Sequence, residues 1–364
     1  MTSTTNADAD TVQHRSEIVF VTDAQDANPN GNPIGENRPR IDPVTDQAAI
    51  TDVRLKRYLR DQLVDDGHGV FVRKTDSGDS GSRAQLALNV LSDIDSVDAL
   101  EAHDDIDAEF LQEATDVRYF GATLSFNRDP EKDLHQAIVD AFEGGNYTGP
   151  VQFSPARSLN AVELNEETNT LTSVISTQEG KTTGGFDLDD HRLKYGIFPF
   201  HGVVDEHGAR DTGLTETDVK RLDTLCWRAL KSQTISRSKV GQEPRLYLRV
   251  EYDTEGFHVG DLQNGLDLDR ELAGDDDAPT SDDTLRNVTD ICLDVTKLLA
   301  RLDSAAEHID TVHVVGNDYL DISVAGEPAG TAADLPSLIT DRGLDVHEID
   351  VYDEFTQTLP DSEA

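Results

Sequence analysis

Four cations, Arg54, Lys56, Arg57 and Arg60, fall within two helical turns of a 364-residue chain whose formal net charge is -41. Side chains crowded this way repel one another unless anions stand between them, so the chemistry they offer is anion binding. Part of that demand can be met locally. Asp52 lies four residues before Lys56, and Arg57 four before Asp61, the spacing of helical ion pairs. Arg54 and Arg60 have no acid at either helical spacing. For these two, an external anion and an ordinary solvated helix face both remain open. A second basic group follows at Arg228, Lys231, Arg237, Lys239, Arg245 and Arg249. Arg237 and Lys239 sit in a Ser/Gly loop without neighbouring acids, whereas Arg245 and Arg249 share one face of an expected strand. Arg157, in TGPVQFSPARSLN at 148–160, stands among small hydroxyl residues. Such a loop can aim N–H groups at an anion, although taken alone the signal is weak and a plain turn explains it better.

Other chemistries find little footing. Asp26-Ala27-Asn28-Pro29-Asn30-Gly31 fits the opening of a calcium loop, but its twelfth position is Asn37 and its fourth is a proline. His201 and His207, near Asp205 and Glu206, have no recognised metal-ligand spacing. No nucleophile elbow, Walker loop or dinucleotide fingerprint occurs. With 72 carboxylates, proximity of two acids would carry no information about catalysis.

The elements that must position these residues follow from pattern. Glu17 to Thr22 reads as a buried strand, and Asp23 to Ala49, with four prolines, as a loop without regular structure. Thr51 caps a helix whose apolar stripe is Leu55, Tyr58, Leu59 and Leu63. Val70 to Val72 is expected to be a short strand, residues 83–115 a small helical insertion, and Leu134 to Phe142 a further helix. Glu163 to Tyr195 reads as a protruding β-hairpin with Val174 and Ile175 on one arm. Gly196 to Val204 reads as a core strand, Thr215 to Thr234 as a capped amphipathic helix, and Arg245 to Tyr252 as a strand. Asp261 to Asp283 is expected to be a solvated linker, followed by a helix at 284–302 and a strand at Thr311 to Val315. This order is α+β and compatible with a ferredoxin-like or RNA-recognition-type core.

Composition narrows the setting. Asp plus Glu number 72 against 31 Lys plus Arg, spread along the chain, which reads as a surface adapted to high salt, as in a halophilic archaeon. Nucleic acid would be repelled by most of that surface and could bind only through local basic islands. Two cysteines, Cys226 and Cys292, argue against a disulfide framework or a cysteine zinc site. No signal peptide is visible in residues 1–15 and no apolar run has membrane length, so the expectation is cytoplasmic.

Several stretches together carry a resemblance. Asn28-Pro29-Asn30-Gly31-Asn32-Pro33, Asn37-Arg38-Pro39-Arg40-Ile41-Asp42 and the run Thr51 to Asp61 are joined by TGPVQFSPARSLN, FPFHG at 198–202 and SRSKVG at 236–241, in order. Over roughly residues 16–253 the chain resembles the Cas-seven family, in its Csh-two form, the backbone subunit of the type I-B CRISPR Cascade. Pro155-Ala156 stands where family members often carry Trp-Gly.

The resemblance implies an α+β fold: a modified RRM (ferredoxin-like) palm with a helical finger insertion and a protruding β-hairpin thumb. Mapped here, 1–15 is an N-terminal arm and 16–66 the first part of the palm. Residues 67–147 are the fingers, 148–171 a palm loop and strand, 172–195 the thumb, and 196–260 the second part of the palm. An acidic linker and C-terminal helix/strand region fill 261–364. The implied function is non-catalytic: copies line up along the spacer of a CRISPR RNA, beside the Cas-five, Cas-six and large subunits, and present the guide to target DNA. The implied RNA contacts are Arg54, Lys56, Arg57 and Arg60, then Asn30, Arg38, Arg40, Arg157, Ser158, Arg237 and Lys239. No cofactor or metal is implied. Two other readings stand beside this one. One is an RNA endonuclease of a type III-like effector using Asp23 or Asp26; the other is a purely structural acidic protein.

Overall fold

The computed structural model describes residues 11–73, 83–124, 133–142, 146–165, 170–172, 187–234, 238–273 and 280–360. Its principal elements are β1 (Ser16–Ala27), α1 (Asp52–Asp65), β2 (Val151–Phe153), β3 (Leu193–Val204), α2 (Glu216–Lys231), β4 (Gln242–Tyr252), α3 (Thr296–Ser304), β5 (Ile309–Gly316) and β6 (Val346–Glu348). The chain is α+β. Six of the described strands form one sheet in the order β6-β5-β4-β1-β3-β2, antiparallel throughout except for β5 and β6.

The apolar run of β1 follows from its position at the centre. Successive side chains point to opposite faces. Ile18 and Phe20 pack with Phe198, Phe200 and Tyr247 beneath α1 and α2. Val19 and Val21 pack on the other face with Tyr195, Ile197, Leu246 and Leu248, against apolar residues of the C-terminal region such as Leu262, Leu293 and Leu298. Both faces are covered, so no polar alternation is required. At the far edge β2 pairs with the end of β3, where Gly202 makes room for Phe153. A Cβ at that glycine would lie 2.6 Å from the ring.

The helices start where their caps say. The Thr51 side chain accepts the Arg54 N–H, and α1 buries Leu55, Tyr58, Leu59 and Leu63 as its stripe requires. Thr215 and Asp218 form a capping box at the start of α2. Between α1 and β2 an insertion of helices Arg83–Val90, Val97–Glu101, Ile106–Glu113, Thr115–Phe120 and Asp133–Ala141 has its own core around Phe71, Leu91, Phe110, Val117 and Phe142.

Four expectations change. Asp23 to Ala49 is not irregular: β1 runs on to Ala27, and Gly31–Asn32, Arg38–Ile41 and Ala48–Ile50 pair in turn, with Ala156–Arg157 added to the edge. Val70 to Val72 is not a strand, because the Phe71 and Val72 N–H groups donate to the Asp116 carboxylate instead of to a neighbouring strand. The helix expected over 284–302 is only α3. Before it, Cys292–Asp294 pairs in parallel with Asp321–Val324, a contact no local pattern announces. The expected linker 261–283 is partly structured, and Leu262, Leu266 and Leu268 enter the core. Of the expected hairpin, Thr170–Thr172 and Asp187–Asp189 pair antiparallel. Val174 and Ile175 lie outside the described residues.

Candidate nucleic-acid interface

The end of β1, the start of α1 and the loop leading into β4 meet at one corner. Gly241 permits the approach. Its φ of +104° suits glycine, a Cβ there would sit 2.2 Å from the Gln25 carbonyl oxygen, and the Gln25 N–H donates to the Gly241 oxygen at 2.8 Å. One turn further, the Asn28 N–H donates to the Ser238 oxygen at 2.7 Å, and its side-chain amide donates to the Asn37 oxygen at 2.7 Å. Tyr58 donates its hydroxyl to the Pro29 oxygen. Asn30 is buried, and with its amide oxygen turned toward them it accepts from the Thr51 N–H at 3.1 Å and from Arg40 Nε at 3.3 Å.

Three cations surround this Asn-Pro-Asn turn. Arg40 reaches Asn30 from the outside. Arg54 places its guanidinium 5.8 Å from the centroid of the Tyr58 ring, with Nε 3.5 Å from the Asn30 amide. Lys239 donates through Nζ to the Asn28 carbonyl oxygen. Burial pushes the Lys239 ammonium down to about 8, and the Arg54 charge pushes it the same way. Among the described residues none of the three has a carboxylate within ion-pair distance, although the chain carries 72 acids.

The other expected contacts divide by environment. Lys56 meets Asp52 at 4.0 Å and donates to Gln152 at 2.7 Å, and Arg57 meets Asp61 at 2.7 Å, so both intrahelical pairs form. Arg38 and Arg157 are more than half exposed, in loose pairs with Glu36 at 3.3 Å and Asp42 at 3.4 Å. Arg60 does have an acid, supplied from beyond its helix. Its Nε donates at 2.8 Å to Asp116, which is fully buried and also holds the Phe71 and Val72 N–H groups. Helical spacing alone could not reveal that partner. Ser158 is buried: its hydroxyl accepts the Ala48 N–H and donates to the Asn160 oxygen. Arg237 lies outside the described residues.

Three members of the second basic group, Arg228, Arg245 and Arg249, are taken up in buried ion pairs. Arg228 grips Asp66 at 2.9 and 2.7 Å, Arg249 grips Asp223 at 2.7 and 2.8 Å, and Arg245 meets Asp23 at 2.8 Å. Burial pushes Asp23 up to about 6 in spite of Arg245. Its Oδ2 also accepts the Tyr195 hydroxyl at 3.1 Å. Asp26 is exposed, at a φ of +46°, and accepts from the Asn165 amide at 2.6 Å. His201 donates through Nε2 to the Glu17 carboxylate at 2.9 Å, and His207 stands 3.6 Å from Glu206. Among the described residues no group of three or more His, Cys, Asp or Glu side chains is placed to hold a metal, and no helix is long and apolar enough to cross a membrane. The pattern missed Asn28, whose backbone and amide bonds fix the turn, and the Tyr58 ring beside Arg54.

Residues 14–296 match the family model described as CRISPR-associated protein Cas7. The chain belongs to the Cas7 family. A curated relative from Haloferax volcanii, also described as CRISPR-associated protein Cas7, is 56% identical over 347 residues, covering 94% of this chain and 98% of its own. The match to that Cas7 protein also takes in most of the chain beyond residue 296, where the family model ends. Its haloarchaeal source agrees with the acidic composition. Two solved chains, titled CRISPR RNA-guided surveillance complex, pre-nicking, and CRISPR RNA-guided surveillance complex, overlap this one loosely. Both are 13% identical and cover 94% of this chain, with 99% and 98% of their own and TM-scores of 0.45 and 0.44.

Proposed function

We propose that this Cas7-family chain is a non-catalytic backbone subunit of a type I-B Cascade. It holds CRISPR RNA by its phosphates and repeats along the spacer as a helical filament of identical copies. It presents the guide to target DNA beside the Cas-five, Cas-six and large subunits. The observation that carries the reading is the corner of Arg40, Arg54 and Lys239, three cations without a carboxylate among the described residues of a chain of net charge -41. Phosphate diesters of a bound strand, each carrying one negative charge, supply the missing charge and accept hydrogen bonds from these cations. Contacts to phosphate carry no sequence information, which a carrier of changing guides requires.

The architecture supports a modified RRM-type palm. The order β1-α1-β2-β3-α2-β4 with β4-β1-β3-β2 in the sheet is the ferredoxin-like arrangement. In an open RRM, bases stack on the face opposite the helices. That face is here occupied by Leu262, Leu293, Leu298 and their neighbours, so the RNA is assigned to the end of the sheet and the start of α1. The helical insertion with its separate core fits fingers, and the paired strands Thr170–Thr172 and Asp187–Asp189 fit the base of a thumb. Arg57, Arg38 and Arg157 can exchange surface carboxylates for phosphate at small cost, while Lys56 is more buried and would have to leave Gln152 to do so. Arg60 and Ser158 fit support beneath the contact surface, and Arg237 precedes Lys239 by two positions in the sequence. A cleaving aspartate has less in its favour: Asp23 is buried against Arg245 and Asp26 is bound by Asn165.

The test is to purify the native protein at high salt, extract its nucleic acid and sequence it. CRISPR spacer RNAs are expected, and an Arg54→Ala/Lys239→Ala double variant should be depleted of them. Bulk RNA of no defined origin, or none, would overturn the reading.

A further inference from the structure

An open cleft of about 530 Å³ lies where the end of β1, the end of α2 and the start of β4 meet the C-terminal region. That volume is in the range of small-ligand sites. Its walls carry Gln25, Lys231, Arg245, Asn287, Asn317 and Tyr319. Gln25 precedes Asn28 by three residues, so along the strand the cleft begins at most about 10 Å from the basic corner.

Each side chain there has a distinct capacity. Tyr319 is 64% exposed, an aromatic face open to stacking. Asn317 is held by its oxygen, which accepts from the Tyr319 N–H at 2.8 Å and from Arg245 at 3.3 Å. Its amide N–H groups have no acceptor among the described residues, and neither has the Gln25 amide. Lys231 is exposed with no carboxylate in reach among the described residues, whereas Arg245 is already neutralised by Asp23. Glu243 adds an acceptor to the wall.

We infer that this cleft takes one nucleotide of the bound single-stranded RNA, its base stacked on Tyr319 and its phosphate on Lys231. The inference rests on the RNA-carrier reading above. One free cation, amides able to meet either hydrogen-bonding pattern on a base edge, and an exposed aromatic ring match a nucleotide part by part. An acidic peptide from a neighbouring copy would bring several carboxylates to one available cation beside Glu243 and leave the ring and the amides unused, whereas a nucleotide brings a single phosphate charge and a base that uses both. The C-terminal region thereby acquires a task in RNA binding through Asn287, Asn317 and Tyr319.

The experiment is fluorescence anisotropy of the full chain, stripped of RNA, with a labelled single-stranded RNA at fixed high salt, alongside light scattering. Tyr319→Ala should weaken binding by roughly 5- to 150-fold, the value of one base stacked on an aromatic ring, and Tyr319→Phe should retain it. Because Tyr319 is exposed, the alanine variant is expected to fold. If Tyr319→Ala binds as the native chain does while Arg54→Ala does not, the cleft assignment falls and the carrier reading stands. If Tyr319→Ala instead lowers self-association and leaves RNA affinity intact, a neighbouring copy occupies the cleft and the assignment is again overturned. If the native chain binds no RNA, the carrier reading fails and takes the cleft with it.

Discussion

Raising the pH from about 7 to about 9 should weaken RNA binding about tenfold, and the loss should run through Lys239. Its ammonium is pushed down to about 8 by burial and by the adjacent Arg54 charge. A phosphate placed beside it restores the ordinary lysine range near 10.4. At about pH 9 the free protein is then roughly ten parts deprotonated to one protonated, while the complex keeps its proton, so binding must supply one. The penalty is about tenfold, or about 1.4 kcal/mol. The sign for the unbound fold is opposite. A lysine with a folded pKa below its unfolded value lets the unfolded chain hold more protons between about 8 and 10.5, so the free protein gains stability across that window. The titration of Lys239 therefore weakens RNA binding without itself destabilising the fold. The assay is anisotropy of a labelled single-stranded RNA at constant ionic strength, native against Lys239→Arg, which stays charged. A flat native profile, or an equal fall in the arginine variant, would refute the reasoning.

Arg60→Ala should destabilise the fold by about 3 kcal/mol, because it leaves the fully buried Asp116 carboxylate with only two backbone donors; a denaturant midpoint at fixed salt measures it. Glu251 is held down at about 2, by the His313 hydrogen bond first and with Arg249 assisting against burial. Its contribution is complete above its usual 4.5 and lost as the pH falls toward 2, so Glu251→Gln should flatten the acid limb of the stability curve by about 2–3 kcal/mol in urea titrations. RNA incubated with the protein and magnesium or manganese should stay intact, and a regularly spaced cut abolished by Asp26→Ala would restore the endonuclease reading.

Local chemistry wrote the parts of this fold that the sequence discloses. Thr51 and the stripe Leu55, Tyr58, Leu59, Leu63 place α1, and Thr215 places α2, because caps and stripes are set within one or two turns. Arg60 was opaque for the converse reason: Asp116 lies 56 positions away, inside the insertion. Asp23, Asp66 and Asp223 likewise sit far in sequence from Arg245, Arg228 and Arg249, so pairs that fold the palm looked like a basic island. The short strands between Gly31 and Ile50 were hidden by prolines, whose missing N–H is tolerated at such brief pairings. The Asn28 to Asn30 turn was visible as a motif. Its work, assembling Arg40, Arg54 and Lys239 from three separate segments, depends on the loop before β4 coming back to meet β1.

The central claim is that this corner grips phosphate without reading sequence. The most direct measurement is the salt dependence of RNA affinity for the native chain and Arg54→Ala, on two single strands of unrelated sequence. Each phosphate contact on a single strand contributes about 0.7 to the slope of log affinity against log salt. The account predicts a slope reduced by about 0.7 in the variant, equally for both sequences. An unchanged slope, or a loss confined to one sequence, would contradict it.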